Sequence, residues 1–192
     1  MQEKLIILSA PSGSGKTSIV KNLLSQDLPL VFSISATSRT KRDGEQENID
    51  YYFITPEDFK KKIKENAFVE WEEVYQGCFY GTLKSEIERI WAERKTAVLD
   101  MDVVGGLNVK KMYGNQALSI FIKAPDMKTL TERLERRGTE SEDSLQQRIN
   151  KANFELSFAD QFDVIVINDH LENACKEVSK IVSKFLFVKR YF

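Results

Sequence analysis

The chain has 192 residues, with 28 basic and 29 acidic side chains and a formal charge of −1. That length suits one domain with a sizeable core, and the near-neutral balance argues against a general nucleic-acid or membrane-surface binder, which needs a net basic field. Cys78 and Cys175 lie too far apart for metal spacing and read as buried or half-buried thiols, and the apolar run Leu5–Leu8 is too short for a signal peptide or a membrane span, so the expected location is cytoplasmic.

In chain order, Leu5–Leu8 predicts a buried strand, and Ser18–Leu24 predicts a helix with Ile19, Val20, Leu23 and Leu24 on one side. Val31–Ser35, Tyr51–Ile54 and Phe68–Tyr75 predict short strands around one helix. That helix opens at Thr55-Pro56-Glu57-Asp58, with an N-cap, a proline at the first helical position and acids in the first turn. Gln76-Gly77 marks a turn. Glu86–Arg94 then predicts a helix, Ala97–Leu99 and Leu118–Ile122 predict strands, and Met127–Leu134 predicts another helix. A polar helical insertion runs from Arg133 to about Phe158, broken at Gly138-Thr139. Val164–Ile167 is a further strand, and Ala174–Val188 closes the pattern with an amphipathic helix. Strands alternating with helices imply an α/β fold with a parallel sheet flanked by helices. The stretch from Leu30 to Tyr80 breaks that rhythm and reads as an inserted antiparallel or mixed lobe. A core with two lobes is the build expected where a substrate must be enclosed.

The first strand runs into Ala10-Pro11-Ser12-Gly13-Ser14-Gly15-Lys16-Thr17. Phosphate groups need many donors at close range, and backbone N–H groups supply them where no Cβ blocks the approach. The helix that follows aims its positive end at the same place. Lys16 is placed to reach the outer phosphates, and the Thr17 hydroxyl to ligate Mg²⁺. The spacing is that of a phosphate-binding P-loop, with Ala10 where glycine is usual. Such a loop needs a carboxylate at the end of a neighbouring strand, and Asp100 follows Ala97-Val98-Leu99 in that position. The base-reading Asn-Lys-x-Asp of a GTPase is absent, and the chain is short for a motor or ABC-type ATPase.

A small P-loop chain with an inserted lobe and a polar lid suggests a nucleoside monophosphate kinase. Such an enzyme requires arginines from both insertions to neutralise phosphates. Arg39 and Arg42 lie in a loop after a strand, where arginine's planar fork suits bidentate phosphate capture. Arg133 and Arg137 are four apart on one helix face, and Arg148 follows. Tyr51 and Tyr80 offer hydroxyl donors to the same acceptor phosphate.

Taken together, these motifs are similar to those of the guanylate kinases over nearly the whole length. The residues carrying the resemblance are Ala10–Thr17, Ser35, Arg39 to Glu45, Tyr51, Glu70-Trp71, Tyr80-Gly81-Thr82, Asp100-Met101-Asp102, Arg133, Arg137-Gly138-Thr139-Glu140, Arg148 and Val166-Ile167-Asn168-Asp169. The resemblance implies ATP + GMP ⇌ ADP + GDP with Mg²⁺. It also implies a core of about residues 1–34, 83–126 and 160–192, a GMP-binding lobe of about 35–82, and a lid of about 127–159. It puts Arg39, Arg42, Tyr51 and Tyr80 on the GMP phosphate, and Ser35, Glu70, Thr82 and Asp102 near guanine. Lys16, Arg133, Arg137 and Arg148 fall on the transferring phosphates, Thr17 and Asp100 on the metal side, and Asn168 beside the adenine of ATP.

Guanine presents two adjacent donors and an acceptor, so a carboxylate and a hydroxyl suit it, whereas adenine offers a ring acceptor that an ionised Glu70 would repel. The residues alone do not choose among Glu70, Glu72 and Glu73; the family pattern selects Glu70. Two departures stand out. Val104-Gly105-Gly106 follows Asp102 where many members carry a polar residue, and Asn48-Ile49 replaces a frequent glycine turn. His170, the only histidine, reads as a surface residue at a helix start. Rival readings are a P-loop kinase for another acceptor and a non-catalytic guanylate-kinase-like interaction module; retention of Lys16 and the lid arginines argues against the latter. Oligomeric state and acceptance of dGMP stay open.

Overall fold

The computed structural model describes residues 3–136 and 142–187, with only the backbone described for 142–144. The chain runs β1 (Leu5–Ser9), α1 (Lys16–Leu24), β2 (Leu30–Phe32), β3 (Ala36–Thr37), β4 (Tyr52–Phe53), α2 (Pro56–Lys64), β5 (Phe68–Tyr75) and β6 (Cys78–Leu83). It continues through α3 (Lys84–Ala92), β7 (Thr96–Asp100), α4 (Val103–Tyr113), β8 (Ala117–Lys123), α5 (Met127–Glu135), α6 (Glu142–Leu156), β9 (Val164–Ile167) and α7 (Leu171–Phe187). Pro29–Val98 form one compact unit. Lys4–Leu28 and the chain from Leu99 onward form a second. No described helix is long and apolar enough to cross a membrane.

A five-stranded parallel sheet has the order β2-β7-β1-β8-β9. In the second unit, β1 pairs with β8 from Leu5↔Ala117 to Ser9↔Phe121, and β8 pairs with β9 from Ile120↔Val164 to Lys123↔Ile167. All of β1 is buried, as expected of a strand covered on both faces, and this is why Leu5–Leu8 reads as an unbroken apolar run. Phe121 packs edge-on against Phe162 in a core cluster with Val103 and Ala159. Leu130 and Leu134 of α5 pack with Ala124 and with Ala152 of α6.

The first unit carries a separate four-stranded sheet, β4-β3-β6-β5. Its β5–β6 hairpin is antiparallel, and Gly77, at φ +76°, supplies the left-handed residue of the turn. Phe59 of α2 stacks on Phe68 and Phe79 at 4.3 and 5.3 Å between centroids, which is the core of this unit. The predicted N-terminus of α2 forms as read, with Thr55 accepting from the Asp58 N–H and Pro56 at the first position.

Three elements differ from expectation. The predicted strand Val31–Ser35 stops at Phe32, and Ala36–Thr37 pairs instead in the other sheet. The Ser33 N–H still donates to Val98, but the next N–H, that of Ile34, donates to the Glu86 carboxylate, so a side chain takes the donor the ladder would need. The strand β6 and the helix α4 carry no sequence prediction. In α4 the pair Gly105-Gly106 weakens helix propensity and hides the signal. Elsewhere β1, β7 and β8 run one or two residues beyond the predicted strands, the predicted Tyr51–Ile54 shortens to Tyr52–Phe53, and α1 begins at Lys16 rather than Ser18.

Candidate functional site

The predicted phosphate loop lies in the second unit between β1 and α1. Ala10 is buried at the strand end. Pro11 accepts from the Ser14 N–H at 3.2 Å and closes a turn over the exposed Ser12. Gly13 and Gly15 adopt φ +89° and +88°, the left-handed region that favours glycine. A side chain at Gly13 would press on Leu130 and Leu134 of α5, and one at Gly15 would overlap the amide of Asn168. The loop therefore consists of bare backbone held from behind. Lys16 is the first residue of α1. Its ammonium forms an ion pair with the Asp100 carboxylate and donates to the Met101 carbonyl at 3.0 Å. Thr17 is exposed in the first turn of the same helix. These residues place peptide N–H groups, a helix N-terminus and one ammonium in a single small region, an arrangement suited to holding a polyphosphate.

Asp100 ends β7 and lies beside Lys16. Asp102 acts as a helix cap. Its Oδ1 accepts from the N–H groups of Val104 and Gly105 at 2.8 and 3.0 Å, at the start of α4. Gly106, the second of the glycines after Asp102, is explained by packing, since a Cβ there would sit 2.6 Å from Ser9 Oγ. Asn168 is buried, with its Nδ2 donating to the Ser14 carbonyl at 2.7 Å. Arg133, half-buried on α5, donates to the Asp169 carbonyl at 3.3 Å, so it lies near the same loop. Arg148 is half-buried on α6. Arg137, with Gly138, Thr139 and Glu140, lies outside the described residues. His170 is exposed immediately before α7.

The predicted GMP set, apart from Asp102, lies in the first unit. Arg39 is engaged on nearly every side. Its Nε donates to Tyr80 Oη at 2.9 Å, its Nη1 and Nη2 donate to the two Glu45 oxygens at 2.7 and 2.6 Å, and Nη1 also donates to the Thr40 carbonyl. The guanidinium stands over the rings of Tyr51 and Phe53 at 5.0 and 5.6 Å. This pairing holds the Glu45 carboxyl down at about 2, first through the Arg39 hydrogen bonds and then through the Arg42 N–H, and it raises Arg39. Burial raises the Tyr51 hydroxyl. The Arg42 side chain is exposed.

Glu70 on β5 faces Thr82 on β6 in register, and Thr82 Oγ1 donates to Glu70 Oε1 at 3.1 Å. Glu70 is half-buried and Thr82 buried, whereas Glu72 and Glu73 are exposed; burial separates the three glutamates that sequence left equivalent. Ser35 lies in the connection between β2 and β3, where its carbonyl accepts from the Tyr52 N–H. Asn48 adopts φ +62°, taking the left-handed conformation a glycine would otherwise supply.

Sequence reasoning missed two carboxylates. Glu45 reads in sequence only as the end of the arginine-bearing loop, yet it holds Arg39. Glu86 is buried and accepts from Tyr52 Oη at 2.7 Å, from the Ile34 N–H at 3.2 Å and from Arg89 through two N–H groups at 2.9 Å. The Glu86-to-Arg89 spacing of three was the available signal, and it looks like any surface pair. Among the described residues no group of three His, Cys, Asp or Glu could hold a metal ion.

Comparison with known proteins accords with this picture. The guanylate kinase family model matches residues 2–185. A guanylate kinase of Bacteroides thetaiotaomicron is 49% identical over 186 residues, which cover 97% of this chain and 91% of the relative. One from Porphyromonas gingivalis is 48% identical over 184 residues, 95% of this chain and 98% of its own. The crystal structure of guanylate kinase from Anaplasma phagocytophilum aligns with a TM-score of 0.76 at 27% identity, covering 97% of this chain and 87% of that one. With a match that reaches almost end to end and relatives near half identical, this chain belongs to the guanylate kinase family.

Proposed function

We propose that this chain transfers the γ-phosphoryl group of ATP to GMP, giving ADP and GDP for purine nucleotide metabolism. The observation that carries the reading is the phosphate loop: two left-handed glycines open the backbone between β1 and α1, and Lys16 stands at the helix start against Asp100. ATP's phosphates accept from the loop N–H groups and from Lys16, and the lid arginines Arg133, Arg137 and Arg148 add charge as the phosphoryl group moves.

On the acceptor side, Arg39, Arg42, Tyr51 and Tyr80 hold the GMP phosphate. Ser35, Glu70 and Thr82 read guanine, and the family pattern adds Asp102 to that role. A carboxylate accepts from the N1–H and 2-amino pair, and a hydroxyl donates to O6. The acceptor oxygen of GMP is already anionic, so no strong general base is required; positioning and charge neutralisation do the catalysis.

Mg²⁺ suits the residues present. Thr17 and Asp100 supply hard oxygen donors, and Mg²⁺ is normally held by one or two protein oxygens with substrate phosphates rather than by a protein cage. When bound, it neutralises phosphate charge. Two free thiols fit a cytoplasmic setting. A coupled assay with ATP and each of GMP, AMP, UMP and CMP tests the function. GDP formation with GMP strongly preferred is expected, and equal use of AMP would defeat the reading. Lys16→Ala should lower turnover by roughly 10²–10³-fold.

A further inference from the structure

We infer that Asn168 is a positioning residue for the phosphate loop, acting through the loop's backbone and not by touching the nucleotide base. The inference rests on the reading of this chain as an ATP-using kinase. Asn168 follows β9 and is 4% exposed. Its Nδ2 donates to the Ser14 carbonyl at 2.7 Å, joining residues 154 apart in sequence. Its Oδ1 is buried and makes no hydrogen bond among the described residues, so donation to Ser14 is what holds this amide in place.

The consequence for the loop follows from peptide geometry. A trans peptide points its C=O and its N–H in opposite directions. Anchoring the Ser14 carbonyl to Asn168 therefore turns the Gly15 N–H away from the buried side chain, toward the other side of the loop. The same Gly15 has φ +88° and leaves empty the space that the Asn168 amide fills, because a Cβ there would overlap Nδ2. The glycine is needed twice, once for its backbone angle and once for the incoming amide. On the other flank Leu130 and Leu134 occupy the space a side chain at Gly13 would need, while the hydrogen bond from Asn168 fixes the Ser14 carbonyl just before Gly15. An aspartate at 168 would set an oxygen against the Ser14 carbonyl oxygen and release the peptide to rotate.

The test uses the full chain with Asn168→Asp, and inorganic tripolyphosphate as a base-free probe beside ATP. Calorimetry should show both ligands weakened by the same factor, about tenfold or more, the effect of one lost hydrogen bond and an unpaired carbonyl. The KM for GMP should stay at the wild-type value. Asn168→Ser, smaller and uncharged, carries the same measurement without the aspartate's own repulsion of phosphate, and it must weaken both ligands by the same factor for the inference to stand. Tripolyphosphate bound as in wild type while ATP weakens would mean direct contact with adenine and would overturn the inference. So would unchanged affinity for both, an equal loss for GMP, or a wild-type protein that does not bind tripolyphosphate. Wild-type protein that binds tripolyphosphate but makes no GDP would sink the proposed function instead, and the Asn168 comparison would still be readable.

Discussion

Arg39 has five N–H donors, and its contacts engage four of them: one on Tyr80, two on Glu45 and one on the Thr40 carbonyl. A phosphate can take the fork in bidentate fashion only if Glu45 yields. This gives a direct prediction. In the ligand-free protein the Glu45 carboxyl should titrate at about 2, as read by carboxyl NMR, and saturating GMP should move it up toward the ordinary carboxylate range. A midpoint that stays near 2 with GMP bound would mean that the phosphate leaves the Arg39–Glu45 pair intact. The sign for stability follows: a depressed pKa contributes above the usual value near 4.5, and the contribution is lost as pH falls toward 2. Glu70 offers a second prediction. It is half-buried and already accepts from Thr82. Glu70→Gln should lower kcat/KM for GMP about 100-fold, because a carboxamide cannot accept from both guanine donors, and should leave ATP binding unchanged. Equal losses for the two nucleotides would remove Glu70 from base recognition.

The helix α4 shows how packing overrides local preference. Its first turn contains Gly105-Gly106, poor helix formers, yet both are buried and the helix is capped by Asp102. Gly106 is required because Ser9 Oγ and Ile7 Cγ2 would lie 2.6 and 3.2 Å from a Cβ there. Gly106→Ala should therefore destabilise the protein by about 1–3 kcal/mol in urea unfolding, despite alanine's better helix propensity. Asp102→Ala should cost about 0.5–2 kcal/mol through loss of the cap, separately from any effect on GMP. A gain in stability from Gly106→Ala would show that β1 and α4 are less tightly packed than their contacts indicate.

Each of the two units has a carboxylate that ties its elements together. In the first, Glu86 links Ile34, Tyr52 and Arg89. Burial pushes its carboxyl up, but the hydrogen bonds from Arg89, Tyr52 and Ile34 outweigh burial and leave it below the usual range. In the second, Asp163 accepts from the Ser119 N–H and hydroxyl and pairs with Lys110 at 2.8 Å; burial again opposes, and the Lys110 and Ser119 hydrogen bonds again win. Both groups are depressed, so both stabilise the folded chain above the ordinary carboxylate range, and that stability is lost as pH falls through their lowered values. Stability should therefore fall less steeply with pH below about 5 for Glu86→Gln than for wild type, with the remaining slope carried by Asp163 and the other depressed carboxylates. At neutral pH Glu86→Ala should cost about 3 kcal/mol, since the Tyr52 hydroxyl and Ile34 N–H lose their acceptor.

The phosphate loop, the capped start of α2, the buried strand β1 and the partly buried strand β9 were legible in sequence because each depends on neighbours a few residues apart: glycine spacing, Thr55-Pro56, unbroken apolar runs. Helix α4 and strand β6 were not, because glycine in one and mixed polarity in the other erase the periodic signal. Chain order alone, with the family pattern, determined the parallel α/β core and its family. Tertiary structure decided what the loops are fastened to. It set Glu45 on Arg39, Glu86 on Ile34 and Asn168 on Ser14, and it separated Glu70 from two identical neighbours by burial. The Glu86 and Asn168 contacts are long-range hydrogen bonds, the Glu45 contact depends on how one loop folds back on itself, and the choice of Glu70 depends on which face of a strand is covered; none of these is encoded in periodic spacing.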